Sequence, residues 1–302
     1  MLQRAAVLDL GTNTFNLLIG ERAGDEIVFL HRDERWVNLA ENGMDRIGDN
    51  ALQRMADVLT AYKKVIGEYN PQKVKASATA MFRRASNSDV ANGLVEEIIG
   101  LKANVVSGDE EAQLIYDGIR LSPDSWNETV LVMDIGGGST EFIIGNGDLI
   151  LWKKSYALGA TLLRRMFHKT EPITTREREA LREYVLTETV ELQRVVETHK
   201  PKCLIGASGS FDSFASMLRY PDKVDDAVTA LNVDALNALV DRLCGMNETQ
   251  RNHVPGLVWF RVGPIVTAAL LTETVIGRFG FDRVYRSPFA MKEGMLRRLL
   301  FS

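Results

Sequence analysis

Two stretches of this chain match one another without a gap. AVLDLGTNTFNLLIG (residues 6–20) laid over LVMDIGGGSTEFIIG (131–145) sets Asp9 on Asp134, Gly11 on Gly136, Thr14 on Ser139, Asn16 on Glu141 and Gly20 on Gly145, each pair 125 residues apart (134 − 9). Just beyond, GDEIVFLHR resembles GDLILWKKS. Each copy reads as a strand, a tight glycine turn, a second strand and then a further strand. Chance likeness of two β-hairpins would share the apolar pattern. An ungapped match of aspartate, glycine and hydroxyl is more than hairpins require, so the chain reads as two related halves.

The rest of the chain keeps that division. In the first half, LQRMADVLTAYKKVI places Leu52, Met55, Ala56, Leu59, Tyr62 and Ile66 on one helix face. QKVKASAT reads as a strand, SNSDVANGLVEEIIG as a helix capped near Ser86–Asp89, KANVVSG as a strand and DEEAQLIYDGI as a helix. LSPDSWNET has the composition of a linker and puts a boundary near residue 124, giving domains over 1–124 and 125–287. The second half repeats the order: hairpins, helices over 158–168 and 176–198, the strand KCLIGAS and the helix SFDSFASML, then the strand RVYRS and the helix MKEGMLRRLLF. Alternating strands and helices in both halves argue an α/β fold.

Charge and composition exclude several roles. A formal net charge of −4 gives no global attraction to nucleic acid or an anionic membrane, so a polyanionic ligand needs a local positive site. Cys203 and Cys244 fit no zinc or redox spacing and read as reduced core thiols of a cytoplasmic protein. The opening MLQRAAVLDL lacks the apolar stretch of a signal peptide. The apolar run 256–277, broken by Arg261, Pro264 and Glu273, reads as a buried helix and not as a membrane span.

The chemistry gathers at the glycine turns. GTNT (11–14) and GGGST (136–140) expose backbone N–H groups that can cradle phosphate oxygens, and the hydroxyls of Thr12, Thr14, Ser139 and Thr140 add donors. Either turn alone could simply use glycine to turn a hairpin. Two in register, each after an aspartate, suggest a clamp on one phosphate chain if the two domains face each other. Asp134 and Glu141 would repel a phosphate unless a cation intervened, and Mg²⁺ binds through one or two carboxylates, phosphates and water. Their plainer alternatives are a turn-stabilising aspartate and an exposed strand glutamate. Asn16 stands where Glu141 does, so the metal is placed at the second copy only.

Ser107 and Glu110 have capping-box spacing, which leaves Glu111 as a candidate general base for water, with a favourable helix-dipole charge as its equal alternative. Arg83 and Arg84 follow a strand, and a guanidinium there could offset phosphate charge. GASGSFDS supplies a third glycine turn, 206–210, opening a helix. The blander readings are surface arginines and a plain turn. There is no Walker-type loop, no G-x-G-x-x-G, no paired histidines and no nucleophile elbow. What remains is metal-assisted attack on phosphate by water or by a second substrate.

VLDLGTNTFNLLI, SATAMFRRASN, VVSGDEEAQLIYDGI, VMDIGGGSTEFIIG, YALGATLL and GASGSFDSF occur in the order expected of the Ppx/GppA family of exopolyphosphatases and guanosine pentaphosphate phosphohydrolases, which the chain resembles strongly from about residue 5 to 215. The resemblance implies two ribonuclease H-like (actin-like) domains with an interdomain cleft, the helix at about 288–302 returning to the first. It implies Glu111 as the base for water. Asp134 and Glu141 become Mg²⁺ residues (other divalent cations being alternatives). Gly11, Thr12, Asn13, Arg83, Gly136, Gly137, Gly138, Ser139, Gly209 and Ser210 become phosphate-binding residues. Thr14 departs from the serine common in the family, and the length resembles a short form without further helical domains, which puts processivity on long chains in doubt. The expected activity is release of terminal phosphate from polyphosphate, or from pppGpp to give ppGpp, in a cytoplasmic enzyme that binds neither nucleic acid nor membrane, with a homodimer suggested by the family. A non-catalytic polyphosphate or alarmone sensor, and an ATPase or kinase of the same superfamily, stand as the alternatives.

Overall fold

The computed structural model describes residues 3–122 and 126–302, and the chain divides into two compact units, Met1–Gly118 with Met291–Ser302, and Ile119–Ala290. The boundary expected near residue 124 lies outside the described residues. Among the described residues no helix is long and apolar enough to cross a membrane.

The first unit opens with β1 (Gln3–Leu10), β2 (Thr14–Ala23) and β3 (Glu26–Trp36), an antiparallel meander. It continues with α1 (Asp49–Tyr69), β4 (Lys73–Ala78), α2 (Ala80–Arg84), α3 (Ser88–Ile99), β5 (Asn104–Val105) and α4 (Gly108–Ile119). The sheet order is β3-β2-β1-β4-β5, with β4 parallel to β1 and β5 parallel to β4. α1 buries Met55, Leu59 and Tyr62 at helical spacing, and the Tyr62 hydroxyl donates to the Phe15 carbonyl at 2.7 Å. It stops at Asn70, whose left-handed backbone (φ 45°) returns an N–H to the Ile66 carbonyl.

The second unit repeats the plan with β6 (Thr129–Ile135), β7 (Thr140–Asn146) and β8 (Leu149–Tyr156), then α5 (Ala160–Phe167), α6 (Thr175–Glu188), α7 (Val190–His199), β9 (Leu204–Ala207) and α8 (Ser208–Arg219). β10 (Thr229–Leu231), α9 (Val233–Cys244), α10 (Glu248–Arg251), a 3₁₀ turn at Trp259–Arg261, α11 (Ile265–Phe279) and β11 (Val284–Arg286) complete it. Its sheet runs β10-β11-β9-β6-β7-β8, with β9 parallel to β6. β6 is buried on both faces after its first residue, which suits its near-continuous apolar sequence. Leu131, Met133, Phe142, Ile144, Phe211, Phe214 and the apolar length of α11 share one core. In both units the first strand of the meander then pairs in parallel with a strand delivered by helices. That is the α/β, ribonuclease H-like (actin-like) plan.

The repeat holds down to single hydrogen bonds. Asp9 pairs with Asn16 across β1–β2, and Asp134 pairs with Glu141 across β6–β7. The second strand of each meander shifts register at the matching place, between Ile19 and Gly20 and between Ile144 and Gly145. Gly11 donates to the Thr14 carbonyl at 3.1 Å, and Gly136 donates to that of Ser139 at 2.9 Å.

Local chemistry breaks several of the simpler expectations. The helix expected over 176–198 is interrupted at Thr189, whose hydroxyl turns back onto the Val185 carbonyl at 2.6 Å and also accepts from Arg278. The apolar run 256–277 does not form one helix. Pro264 marks the entry to α11, and Gly256, at φ 83°, sits so close to the Ser216 carbonyl that a Cβ there would lie 2.6 Å from its oxygen. The strand expected over 102–108 shortens to Asn104–Val105.

α12 (Met291–Phe301) returns to the first unit and packs on β1 and β2. Gly20 lets Leu296 approach, and Lys73 Nζ donates to the Leu299 carbonyl at 3.0 Å. Gly294 lies against α4, where an added Cβ would sit 2.0 Å from the Leu114 carbonyl oxygen, a backbone atom that cannot swing aside. Gly294→Ala is therefore expected to destabilise the first unit by about 1–3 kcal/mol through overpacking, read as a lower urea midpoint. The same change at Gly93, with nothing within 4 Å of its Cβ position, should cause no loss.

Candidate active site

The second-unit turn is built around two acids. Directly opposed residues of an antiparallel pair share a sheet face, so Asp134 and Glu141 lie side by side, 6% and 1% exposed. Ser208 Oγ donates to Asp134 Oδ2 at 2.7 Å, and Ser155 Oγ donates to Glu141 Oε1 at 2.6 Å. Two buried like charges in direct opposition are destabilising unless a cation or donors offset them. Hard carboxylate oxygens so placed fit Mg²⁺, which takes one or two carboxylates and completes its octahedron from phosphate and water. Among the described residues no group of three or more His, Cys, Asp or Glu side chains gathers as a metal site.

The glycine loop between these acids is held from behind. Ala160 N–H donates to the Gly136 carbonyl at 2.9 Å, and the N–H groups of Thr161 and Leu162 both donate to that of Gly137 at 3.1 Å. A trans peptide points its carbonyl and the next N–H in opposite directions, so the N–H groups of Gly137 and Gly138 are turned away from α5. Neither donates to an acceptor within the described residues, and Ser139 Oγ has no partner there either. The hydroxyl of Thr140 is not available as a ligand donor, because it is spent on the Leu158 carbonyl at 3.0 Å.

The first-unit turn uses the same device on a different strap. Val37 and Asn38 donate to the Asn13 carbonyl at 2.8 and 2.9 Å, and Leu39 donates to that of Thr12 at 2.8 Å. Arg54 holds this strap by donating to the carbonyls of Val37 and Asn38 and to Glu41, with its guanidinium over the Trp36 ring. Here the acid pair is replaced by Asp9 and Asn16, and the Asn16 amide points a donor at Asp9 Oδ2, 3.5 Å away.

Glu111 sits in the first turn of α4, 8% exposed, and accepts from Arg83 Nη1 at 2.7 Å. The same nitrogen also donates to the Val106 carbonyl at 2.9 Å. Arg83, read from the sequence as a phosphate ligand, thus first orients a carboxylate. Its Nε and Nη2 donate to nothing within the described residues. Ser107 Oγ accepts from Glu110 N–H at 3.1 Å, as a cap should, but the Glu110 carboxylate turns to Asn104 Nδ2 at 3.3 Å instead of returning to Ser107.

Gly209 and Ser210 lie inside the first turn of α8, which starts at Ser208 with φ 63°, not in a loop before it. A Cβ at Gly209 would sit 2.0 Å from Arg261 Nη2, so the Arg261 guanidinium lies directly on this helix start. The sequence pattern does not nominate Arg261. Its only signal is a charge interrupting an apolar run.

The segment carrying Arg261 is anchored by Arg251, fully buried. It donates through Nε to the Val262 carbonyl and through both terminal nitrogens to Glu171, at 2.9 and 2.7 Å. Burial pushes the Glu171 carboxyl up, but the hydrogen bonds and charge of Arg251 outweigh it and the net shift is downward. A carboxyl lowered on folding stabilises above its unfolded value of about 4.5 and loses that contribution as pH falls. Arg251→Met is expected to cost roughly 3 kcal/mol at pH 7, toward the low end for a broken buried pair because Glu171 is partly exposed. It should also flatten the fall in unfolding midpoint below pH about 4.5.

The whole chain can be set beside known proteins. An exopolyphosphatase from Cytophaga hutchinsonii is 31% identical, superposes with a TM-score of 0.95, and is matched over 99% of this chain and 98% of its own. The Aquifex aeolicus PPX-GPPA enzyme (23% identity, TM-score 0.80, 99% and 100% covered) and an exopolyphosphatase-like protein (22%, TM-score 0.93, 100% and 99%) share the fold. A sequence model of the Ppx/GppA phosphatase family matches residues 18–302, and the chain belongs to that family.

Proposed function

We propose that this chain is a Mg²⁺-dependent exopolyphosphatase, removing the terminal phosphate of inorganic polyphosphate by attack of water. The observation that carries the reading is the buried, opposed pair Asp134 and Glu141 beside a loop whose Gly137 and Gly138 N–H groups have no acceptor in the described chain. Likeness to an exopolyphosphatase along nearly the whole chain supports the substrate class. Mg²⁺ held by Asp134 and Glu141 would draw charge from the phosphate oxygens.

The chain's own residues do the rest. The amides of Gly137 and Gly138 and the hydroxyl of Ser139 hold non-bridging oxygens, with Gly136 shaping the turn. Gly209 and Ser210 at the start of α8 bind a further phosphate, as do Gly11, Thr12 and Asn13 in the other turn. Glu111 accepts a proton from the attacking water as its oxygen bonds to the terminal phosphorus. The bridging P–O bond breaks, and the shortened chain leaves with the bonding electrons. Arg83 fixes Glu111 through Nη1 and offers its remaining edge to phosphate.

Conversion of pppGpp to ppGpp breaks the same kind of anhydride bond and is the natural second substrate to test. Phosphate release from short polyphosphate, long polyphosphate, pppGpp and ATP, with and without Mg²⁺, separates these readings. Binding by calorimetry without release across a metal series would favour a sensor, and turnover confined to ATP would favour an ATPase. Glu111→Gln should fold normally and lose release by about 10²-fold or more; turnover like the wild type would sink the assignment. Glu141→Gln should raise the Mg²⁺ concentration needed for half-maximal rate, and an unchanged metal curve would remove Glu141 from the site.

A further inference from the structure

We infer that Gly159 is the positioning residue of the phosphate loop, the side-chain-free point at which the start of α5 presses against Gly137 and Gly138 and fixes which way their amides face. The inference rests on reading that loop as a phosphate binder. Gly159 has φ −67° and ψ 149°, an extended conformation open to any residue, so backbone freedom does not explain a glycine here. Space does. A Cβ would stand 2.4 Å from the carbonyl carbon and oxygen of Gly137 and from the carbonyl carbon of Gly138, all backbone atoms.

At this approach Ala160, Thr161 and Leu162 reach the Gly136 and Gly137 carbonyls. The start of α5 is itself braced, because Thr267 on α11 donates its hydroxyl to the Ala160 carbonyl at 2.7 Å and Thr140 ties the preceding Leu158 to the loop. Gly159 touches no phosphate in this scheme. It acts through the loop peptides, by permitting the three hydrogen bonds that turn the Gly137 and Gly138 N–H groups outward.

Gly159→Ala therefore suits its own backbone but forces α5 and the loop apart. Ala160→Pro provides an independent variant. Proline is favoured at the first helical position and Gly159 already has the conformation that precedes proline, yet the change deletes the donor to Gly136. Gly93→Ala, in open space on α3, controls for a generic glycine substitution. Amide hydrogen exchange of Ala160, Thr161 and Leu162 without ligand, and KM and kcat for polyphosphate, are the readouts.

Faster exchange at Thr161 and Leu162 in both variants, and at Ala160 in Gly159→Ala, with KM raised on the order of tenfold and kcat much less affected, is expected. A purely structural role would lower the melting temperature and the active fraction, and so kcat, leaving KM alone. Unchanged exchange in both variants overturns the inference, and so does faster exchange with unchanged KM. Were the wild type to release no phosphate from any substrate, the proposed function would fail. The exchange result would still decide whether Gly159 sets the loop.

Discussion

Because a trans peptide faces its carbonyl and its N–H in opposite directions, holding one decides where the other points. Both glycine turns depend on this. In the second unit, α5 takes the carbonyls of Gly136 and Gly137, α11 braces α5 through Thr267, and the amides of Gly137 and Gly138 are left with no acceptor in the described chain. In the first, residues 37–39 take the carbonyls of Thr12 and Asn13, and Arg54 braces that strap from α1. The sheets give the loops a place. The segments behind them, a helix in one unit and a strap in the other, decide which polar edge is presented.

On that shared frame the two halves have diverged in charge. Opposite Asp134 stands a second carboxylate, and opposite Asp9 stands an amide that can donate to it. The first arrangement sets two acids side by side and leans on the Ser208 and Ser155 hydroxyls as donors, whereas in the second the amide itself can donate to the lone acid. Divergence at one strand position, with register and bulge retained, is enough to give related scaffolds different electrostatic demands.

The duplication, the meanders and the opposed acids were legible because they are local or periodic: Asp9 to Asn16 and Asp134 to Glu141 are each seven residues apart across a tight turn. Contacts that join distant segments were not. Nothing in the sequence says that Arg83 turns to Glu111, or that Arg261 comes to rest on Gly209, fifty-two positions away (261 − 209). Gly159 falls inside the helix expected over 158–168, but α5 starts one residue later, and the backbone that Gly159 faces accounts for the glycine. Thr189 falls inside the helix expected over 176–198, while its hydroxyl favours the break. Side-chain to backbone competition of that kind is invisible to a pattern of apolar residues.

The return of α12 also sets an order on assembly. β1 and β2 precede the second unit, yet the helix that packs on them is encoded after it. During synthesis the second unit has all of its strands before the first has its last helix. The first unit therefore completes its packing only with a segment that lies beyond the second unit in sequence. Small residues on two sides of that helix, Gly20 beneath Leu296 and Gly294 against α4, allow it to seat by close approach.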